Sequence, residues 1–208
     1  MTRRPSRSTI VAAGAGYLLG TLPSAGLASR AAAVGGTRVD LRTAGSGNPG
    51  AMNAAAQLGT GWGVVVLLAD AGKGAAAAVL GRRLAGPAGA YAAATTAIAG
   101  HVAPLWTRFR GGKGVATSAG TCLAVFPAYF PIDAAVAALG AMGSRRAETS
   151  VRVSSAAWVL AALVWWRRRW PNLWGPPPTA GLPLFAAAGS AMILARFAAA
   201  RRAARSTR

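Results

Sequence analysis

From Ile10 to Ser29 the chain runs for twenty residues without one charged side chain. As a helix, such a run reaches about 30 Å, the thickness of a bilayer's hydrocarbon. Similar runs recur at Leu58 to Gly81, broken only by Asp70 and Lys73, at Leu84 to Gly100, and at Val115 to Ile132. Further runs are a short one from Asp133 to Gly143, then Val153 to Trp166 and Gly181 to Ala195. The expectation is an all-α, polytopic transmembrane helix bundle of about seven spans. It forms one domain over residues 1–208, with polar glycine-rich loops between the spans.

Composition supports that reading. Charged residues are 13% of the chain, against about 25% in an ordinary soluble domain, and the acids number only four: Asp40, Asp70, Asp133 and Glu148. The formal net charge of +19 raises the question of nucleic acid. The aromatic interleaving of a nucleic-acid binder is missing, and most bases stand at the ends of apolar runs, where they snorkel to headgroups. The expected partners therefore include membrane lipids and no nucleic acid. The single Cys122 lies inside an apolar run, so it packs, and no metal-ligand spacing exists. No metal and no cofactor are expected.

The first nine residues, MTRRPSRST, are basic, and with the apolar run and the Ala-rich stretch 28–33 they also resemble a twin-arginine signal peptide. A retained first span is preferred, because the remainder is equally membrane-like. With seven spans and an outer N-terminus, fourteen basic residues fall on inner loops and the tail and eight on the outer side. The positive-inside rule then favours an inner C-terminus, with the cluster Arg167 to Arg169 opposing it. The Pro- and Trp-rich stretch 170–180, WPNLWGPPPTA, belongs at the headgroup level.

Within this frame the most informative stretch is Gly100 to Thr117, GHVAPLWTRFRGGKGVAT. It holds the only histidine, His101, together with Arg108, Arg110 and Lys113 in a Gly111-Gly112-Lys113-Gly114 turn that opens an apolar segment. A glycine turn feeding a helix start offers backbone N–H groups to an anion, the helix dipole favours negative charge there, and basic side chains add charge-assisted bonds. The reading is a phosphate-binding loop at the end of a membrane segment. Of the 23 basic residues only Lys73 and Lys113 are lysine, and both sit in Gly-Lys-Gly. Neither has the spacing or the following Ser or Thr of a Walker A loop.

A second loop, 30–53, carries Arg42 and then Gly45-Ser46-Gly47-Asn48-Pro49-Gly50-Ala51-Met52-Asn53, a density of donors beyond what a connector requires. Asp70 and Lys73 lie at i and i+3 on one helix face, where they can pair. Ionisable groups inside a span face a polar cavity or lock helices together. In the expected topology the Gly45 and Gly111 loops share the cytoplasmic face and line one site.

YLLGTLPSAG, VDLRTAGSGNPGAMN, DAGKG and GHVAPLWTRFRGGKGVAT, in this order between about Tyr17 and Gly120, resemble the bacterial acyl-phosphate:glycerol-3-phosphate acyltransferases of the PlsY type. The resemblance implies a seven-helix inner-membrane enzyme with an external N-terminus and an active site facing the cytoplasm. Such an enzyme moves an acyl chain from acyl phosphate to the 1-hydroxyl of glycerol 3-phosphate, giving lysophosphatidic acid in phospholipid synthesis, without acyl-CoA or metal. By resemblance, Ser46, Gly47, Asn48 and Asn53 hold substrate phosphate, and Gly111, Gly112, Lys113 and Gly114 cradle acyl phosphate. Gly45, Gly50 and Arg42 in the first loop and Arg110 in the second join these phosphate-binding sets on their donors and charge. His101 and Thr117 flank that motif, and Asp70 and Lys73 match the acid and base of the second helix. Ser46, His101 and Lys113 are the expected catalytic set.

Four positions depart from the family's pattern. Ala56 stands where an Arg is usual, Met52 where a Thr is usual, and Arg196-Phe197 with Ala200 where an Arg-His and a later Asn are usual. An activated acyl donor needs no Ser or Cys nucleophile, so transfer is expected to be direct, with His101 or a substrate phosphate taking the hydroxyl proton. The alternative is a catalytically impaired or altered-substrate relative that binds anionic lipid or regulates lipid synthesis. A small anion transporter would suit Asp70 and Lys73 but lacks a visible inverted repeat.

Overall fold

The computed structural model describes residues 5–33, 36, 38–143 and 147–206. Arg3, Arg4, Arg145, Arg146 and Arg208, which entered the charge count above, lie outside the described residues. All regular structure among the described residues is helical.

Helix α1 (Arg7–Gly20) begins where the Ser6 hydroxyl accepts from the Thr9 amide at 3.2 Å, a side-chain N-cap. It does not continue to Ser29 as the uncharged run predicts. Pro23 has no N–H and drives Leu22 away from helical geometry, so the helix stops at Thr21 and α2 (Ser24–Ala32) starts afresh. The break leaves the Leu22 carbonyl without a helical partner.

Helix α3 (Ala51–Leu58) ends at Gly59, and α4 (Thr60–Val102) follows directly. The hydrogen-bond pattern of α4 runs on for 43 residues, but the chain reverses inside it. Ala85 leaves helical geometry, Gly86 sits at φ 57° and ψ −149°, and Pro87 opens the return arm with its φ already fixed. The arms 60–84 and 87–102 therefore form a helical hairpin, matching the two separate runs in the sequence. Gly81 and Gly89 meet at its neck, and a Cβ on either would strike the other's carbonyl. Small residues also seat α1 on the return arm: Gly16 faces Ala93, Gly20 faces Ala97, and the Thr96 hydroxyl donates to the Ala13 carbonyl at 2.7 Å.

A short 3₁₀ turn (Leu105–Thr107) leads to the glycine loop and to α5 (Val115–Val125). The expected run to Ile132 is divided, because Pro127 follows Phe126 and a turn intervenes before α6 (Phe130–Gly143). Helix α7 (Ala147–Arg168) starts earlier than Val153: Glu148 and Arg152 pair one turn apart at 2.6 Å and keep the polar stretch helical. Helix α8 (Gly181–Ser206) likewise runs on past Ala195, where Arg201 reaches Glu148 at 3.2 Å.

Among the described residues three stretches are long and apolar enough to cross a membrane: Arg7–Ala32, Thr60–Thr107 and Gly181–Ala203. The middle one doubles back and supplies two passes. Helix α5, with 11 residues, reaches about 16 Å at 1.5 Å per residue, about half a bilayer core. The seven runs of the sequence thus do not become seven matching helices. The core gathers where both hairpin arms meet α5, α7 and α8, with Phe185 edge-on to Trp158 at 5.1 Å and Tyr91 tilted against it. The reversal at Gly86 leaves two distinct ends, one carrying residues 38–50 and 103–114, the other Arg82, Arg83 and the 169–180 loop.

Candidate functional site

Asp70 is 2% exposed, and its Oδ1 lies 2.8 Å from Lys73 Nζ and 3.4 Å from His101 Nδ1. The i, i+3 spacing brings the lysine to it, and the hairpin brings the histidine from the other arm. Lys73 also donates to the Leu22 carbonyl at 3.0 Å, the acceptor that the α1–α2 break exposes. A buried charge is tolerated when it is paired and its remaining hydrogen-bonding groups are satisfied. This cluster meets that condition and fastens three helical segments together. The sequence left open whether Asp70 and Lys73 face a substrate cavity or lock helices together; here they pair with each other and with His101 in the wall behind the loops.

The glycine loop is built against the end of α4. Gly111 N–H donates to the Val102 carbonyl and Gly112 N–H to the His101 carbonyl, each at 3.1 Å. Any Cβ on Gly112 would enter the His101 ring, so the residue must be glycine for the loop to lie this close. On the opposite edge Arg196 of α8 donates to the Gly111 carbonyl at 2.6 Å and to the Gly112 carbonyl at 3.4 Å. These two amides, expected to face an anion, are thus committed within the protein. Free donors remain further on. Helix α5 starts at Gly114 (φ 88°) with no side-chain cap, and the first N–H groups of any helix lack internal partners.

Lys113 is half-buried, and its ammonium lies 4.4 Å from the centroid of the Phe197 ring. Burial lowers its pKa from the ordinary lysine value. Thr117 is fully buried, and its hydroxyl has no hydrogen-bond partner.

In the first loop Asn53 is the hub. Its Oδ1 accepts from Ser46 N–H at 3.0 Å, and its Nδ2 donates to the carbonyls of Leu41 and Ala44 at 3.0 and 3.1 Å. Its amide therefore shapes the loop. Gly45 and Gly47, at φ 59° and 66°, take the left-handed turns that wrap the chain around it. Ser46 is exposed, and Asn48 and Gly50 are half-buried. Asp40 accepts from the Arg42 backbone N–H at 3.0 Å, and the Arg42 Nε is buried with no partner. Ala56 and Met52 are exposed.

Both loops line one cavity of about 580 Å³. Four guanidinium-bearing residues, Arg42, Arg108, Arg110 and Arg196, stand around it with a single acid, Asp40, and with Thr43, Gly47, Thr107, Gly111 and Trp106. Trp106 is pinned by its Nε1 donating to the Thr21 hydroxyl at 3.0 Å. Four arginines against one carboxylate make an anion site, with forks suited to phosphate. Arg42, Gly47, Arg110 and Gly111 of the expected set line it. Ser46, Lys113, Asn53, Asp70, Lys73 and His101 stand outside its lining. Arg108, read in the phosphate-binding loop, also lines it, whereas Arg196 and Trp106 were missed as site residues. The signal for Arg196 lay in the tail pattern already compared with the family. Arg108 and the following Phe109 carry positive φ, 52° and 62°, strain that clusters at functional segments. Among the described residues no three His, Cys, Asp or Glu side chains gather as a metal site.

A family model described as glycerol-3-phosphate acyltransferase matches residues 10–205. The glycerol-3-phosphate acyltransferase of Synechococcus sp. (strain JA-3-3Ab) is 47% identical over 118 residues, 57% of this chain and 56% of that protein's length. The matched stretch is thus little more than half of that relative. The glycerol-3-phosphate acyltransferase of Symbiobacterium thermophilum is 40% identical over 145 residues, 70% of each chain. Among solved structures, the glycerol 3-phosphate form of PlsY (YgiH), an integral membrane glycerol 3-phosphate acyltransferase, superposes with a TM-score of 0.75 and 26% identity. That match covers 97% of this chain and 94% of that one. The lysophosphatidic acid form of PlsY gives 0.71 over 91% of this chain and 87% of that one.

Proposed function

The chain belongs to the glycerol-3-phosphate acyltransferase family, and from that membership we propose that it transfers a fatty acyl group from acyl phosphate to the 1-hydroxyl of glycerol 3-phosphate. The product is lysophosphatidic acid. The observation that carries the reading is the cavity shared by both loops, with Arg42, Arg108, Arg110 and Arg196 facing a single acid. Both substrates are phosphates, and each needs its charge met where bulk water is displaced.

In this reading Arg42 and the first loop grip the glycerol phosphate, while Arg108, Arg110 and Arg196, which flank the glycine loop, meet the acyl phosphate. Lys113 and the uncapped start of α5 receive charge that builds on the acyl oxygen and the departing phosphate. The hydroxyl oxygen bonds to the acyl carbon, the carbon–oxygen bond to phosphate breaks, and the hydroxyl proton passes to a phosphate oxygen. His101, 8% exposed with Nδ1 toward Asp70 and its ring behind Gly112, holds the loop rather than taking that proton. Ser46, Asn48, Gly45, Gly50 and Asn53 shape or line the approach of glycerol phosphate, with Gly114 and Thr117 at the root of α5. The protein works as one multi-pass unit in a bacterial plasma membrane, its two loops on the cytoplasmic side, where the excess of basic residues supports that orientation.

The test is acyl transfer by the purified chain in lipid, with palmitoyl phosphate and labelled glycerol 3-phosphate. Labelled lysophosphatidic acid is expected, and Arg110→Gln should reduce it. One observation favours a second reading: Lys113 rests on Phe197, where the family pattern carries a histidine. If the folded chain binds glycerol 3-phosphate yet forms no product beside an active relative, a phosphate-binding role without catalysis replaces the first.

A further inference from the structure

A second cavity, of about 570 Å³, opens at the opposite end of the bundle. Its floor is Ala75, Ala78, Ala90 and Ala124, and Val79 and Leu123 extend that apolar surface. At its rim stand Arg82 and Arg83 at the end of the first hairpin arm, and Trp174 from the α7–α8 loop. The lining contains two arginines and no acid. The Arg82 guanidinium donates to the Trp174 carbonyl at 2.5 Å, and the Trp174 indole N–H donates to the Leu123 carbonyl at 3.1 Å. The rim is therefore a built structure that ties the loop to two helices. Arg83, the neighbouring position, is exposed.

We infer that this cavity holds the headgroup and part of one chain of an anionic phospholipid, in the leaflet opposite the two glycine loops. The occupant must be amphiphilic, because a charged rim stands directly above an alanine, valine and leucine floor. It must be anionic, because Arg82 and Arg83 have no carboxylate beside them in the lining, and a trialkylated ammonium headgroup would meet like charge. A tryptophan at the rim suits the headgroup level, and exposed Val79 and Leu123 suit the acyl region below it. A second copy of this chain fits poorly, since each carries a formal charge of +19 and would bring the same arginines to the contact. The return arm places this rim about 22 Å from His101, at 1.5 Å for each of the residues from Gly86. The site is thus separate from the transfer cavity.

The test is native mass spectrometry of the full chain in detergent with added phosphatidylglycerol or phosphatidylcholine. Retention of one phosphatidylglycerol, in preference to phosphatidylcholine, is expected. Arg83→Gln leaves the Arg82–Trp174 bond in place and should weaken retention about fivefold, the worth of one arginine at a lipid surface. Arg82→Gln together with Arg83→Gln should weaken it about 25-fold by the same reasoning. Equal retention of the two lipids, or unchanged affinity in Arg83→Gln, would overturn the proposal. So would loss of the lipid in Arg110→Gln instead, which would put it in the other cavity. A dimer abolished by Arg83→Gln would assign the face to a second copy and equally overturn it.

Discussion

Arg196 holds both carbonyls of the Gly111–Gly112 pair, whose amides already serve the end of α4. Removing it leaves these acceptors without a charged donor, a loss of about 1.5–3 kcal/mol per bond. Arg196→Ala is expected to lower transfer at least about tenfold and to reduce thermal stability, read from kcat/KM and a melting curve in lipid. Unchanged transfer would remove Arg196 from the site. Lys113 gives a pH test. Its pKa is lowered by burial, and the charged ammonium is the useful form. Activity should therefore fall as pH rises, from a lower pH than an ordinary lysine would set. Lys113→Arg keeps its charge at any working pH and should remove that alkaline limb. A profile identical in both proteins would show that Lys113 does not control it. The sequence allowed the Asp70–Lys73 pair to be read, because three residues in a helix fix a shared face. It hid Arg196, whose partners lie 84 and 85 residues away and depend on how α8 crosses the bundle. It also concealed that Asn53 serves its own loop, since an amide that binds a ligand and one that anchors a turn have the same letter.

At the scale of elements, apolar runs located helical material well and helix ends less well. Pro23 and Pro127 each cut a run that hydropathy alone leaves whole, because hydropathy does not register a missing N–H. Glu148 and Arg152 extended α7 through a stretch whose polarity reads as loop. The hairpin was legible as two runs with Arg82-Arg83 between them, but the reversal itself falls at Gly86-Pro87, inside the second run, and the close neck was hidden too, since it depends on Gly81 meeting Gly89 in space. Gly86→Ala places a Cβ at φ 57° and ψ −149°, a region open essentially only to glycine, and should cost about 1–3 kcal/mol. Gly81→Leu should cost more, because backbone stands where its side chain would go. Melting of both variants in lipid checks the order, and a Gly81→Leu protein as stable as the parent would refute the neck.

The whole molecule has two ends of different character, one gathering four arginines from both loops and α8, the other presenting Arg82, Arg83 and the tryptophan loop. In a Cys122→Ala background, Ser46→Cys and Arg168→Cys should react with an impermeant maleimide from opposite sides of sealed vesicles. Labelling of both from one side would contradict the arrangement. The tie between Arg196 and the glycine pair also has a consequence in time. At about 5–20 residues per second of synthesis, Arg196 emerges roughly 4–17 s after Gly111. For that interval the ribosome has delivered both loops and the hairpin, yet the anion site lacks one wall. The nascent chain thus has membrane segments before its four-arginine cavity is closed, and on the proposed reading it becomes competent for substrate only when α8 inserts beside the glycine loop.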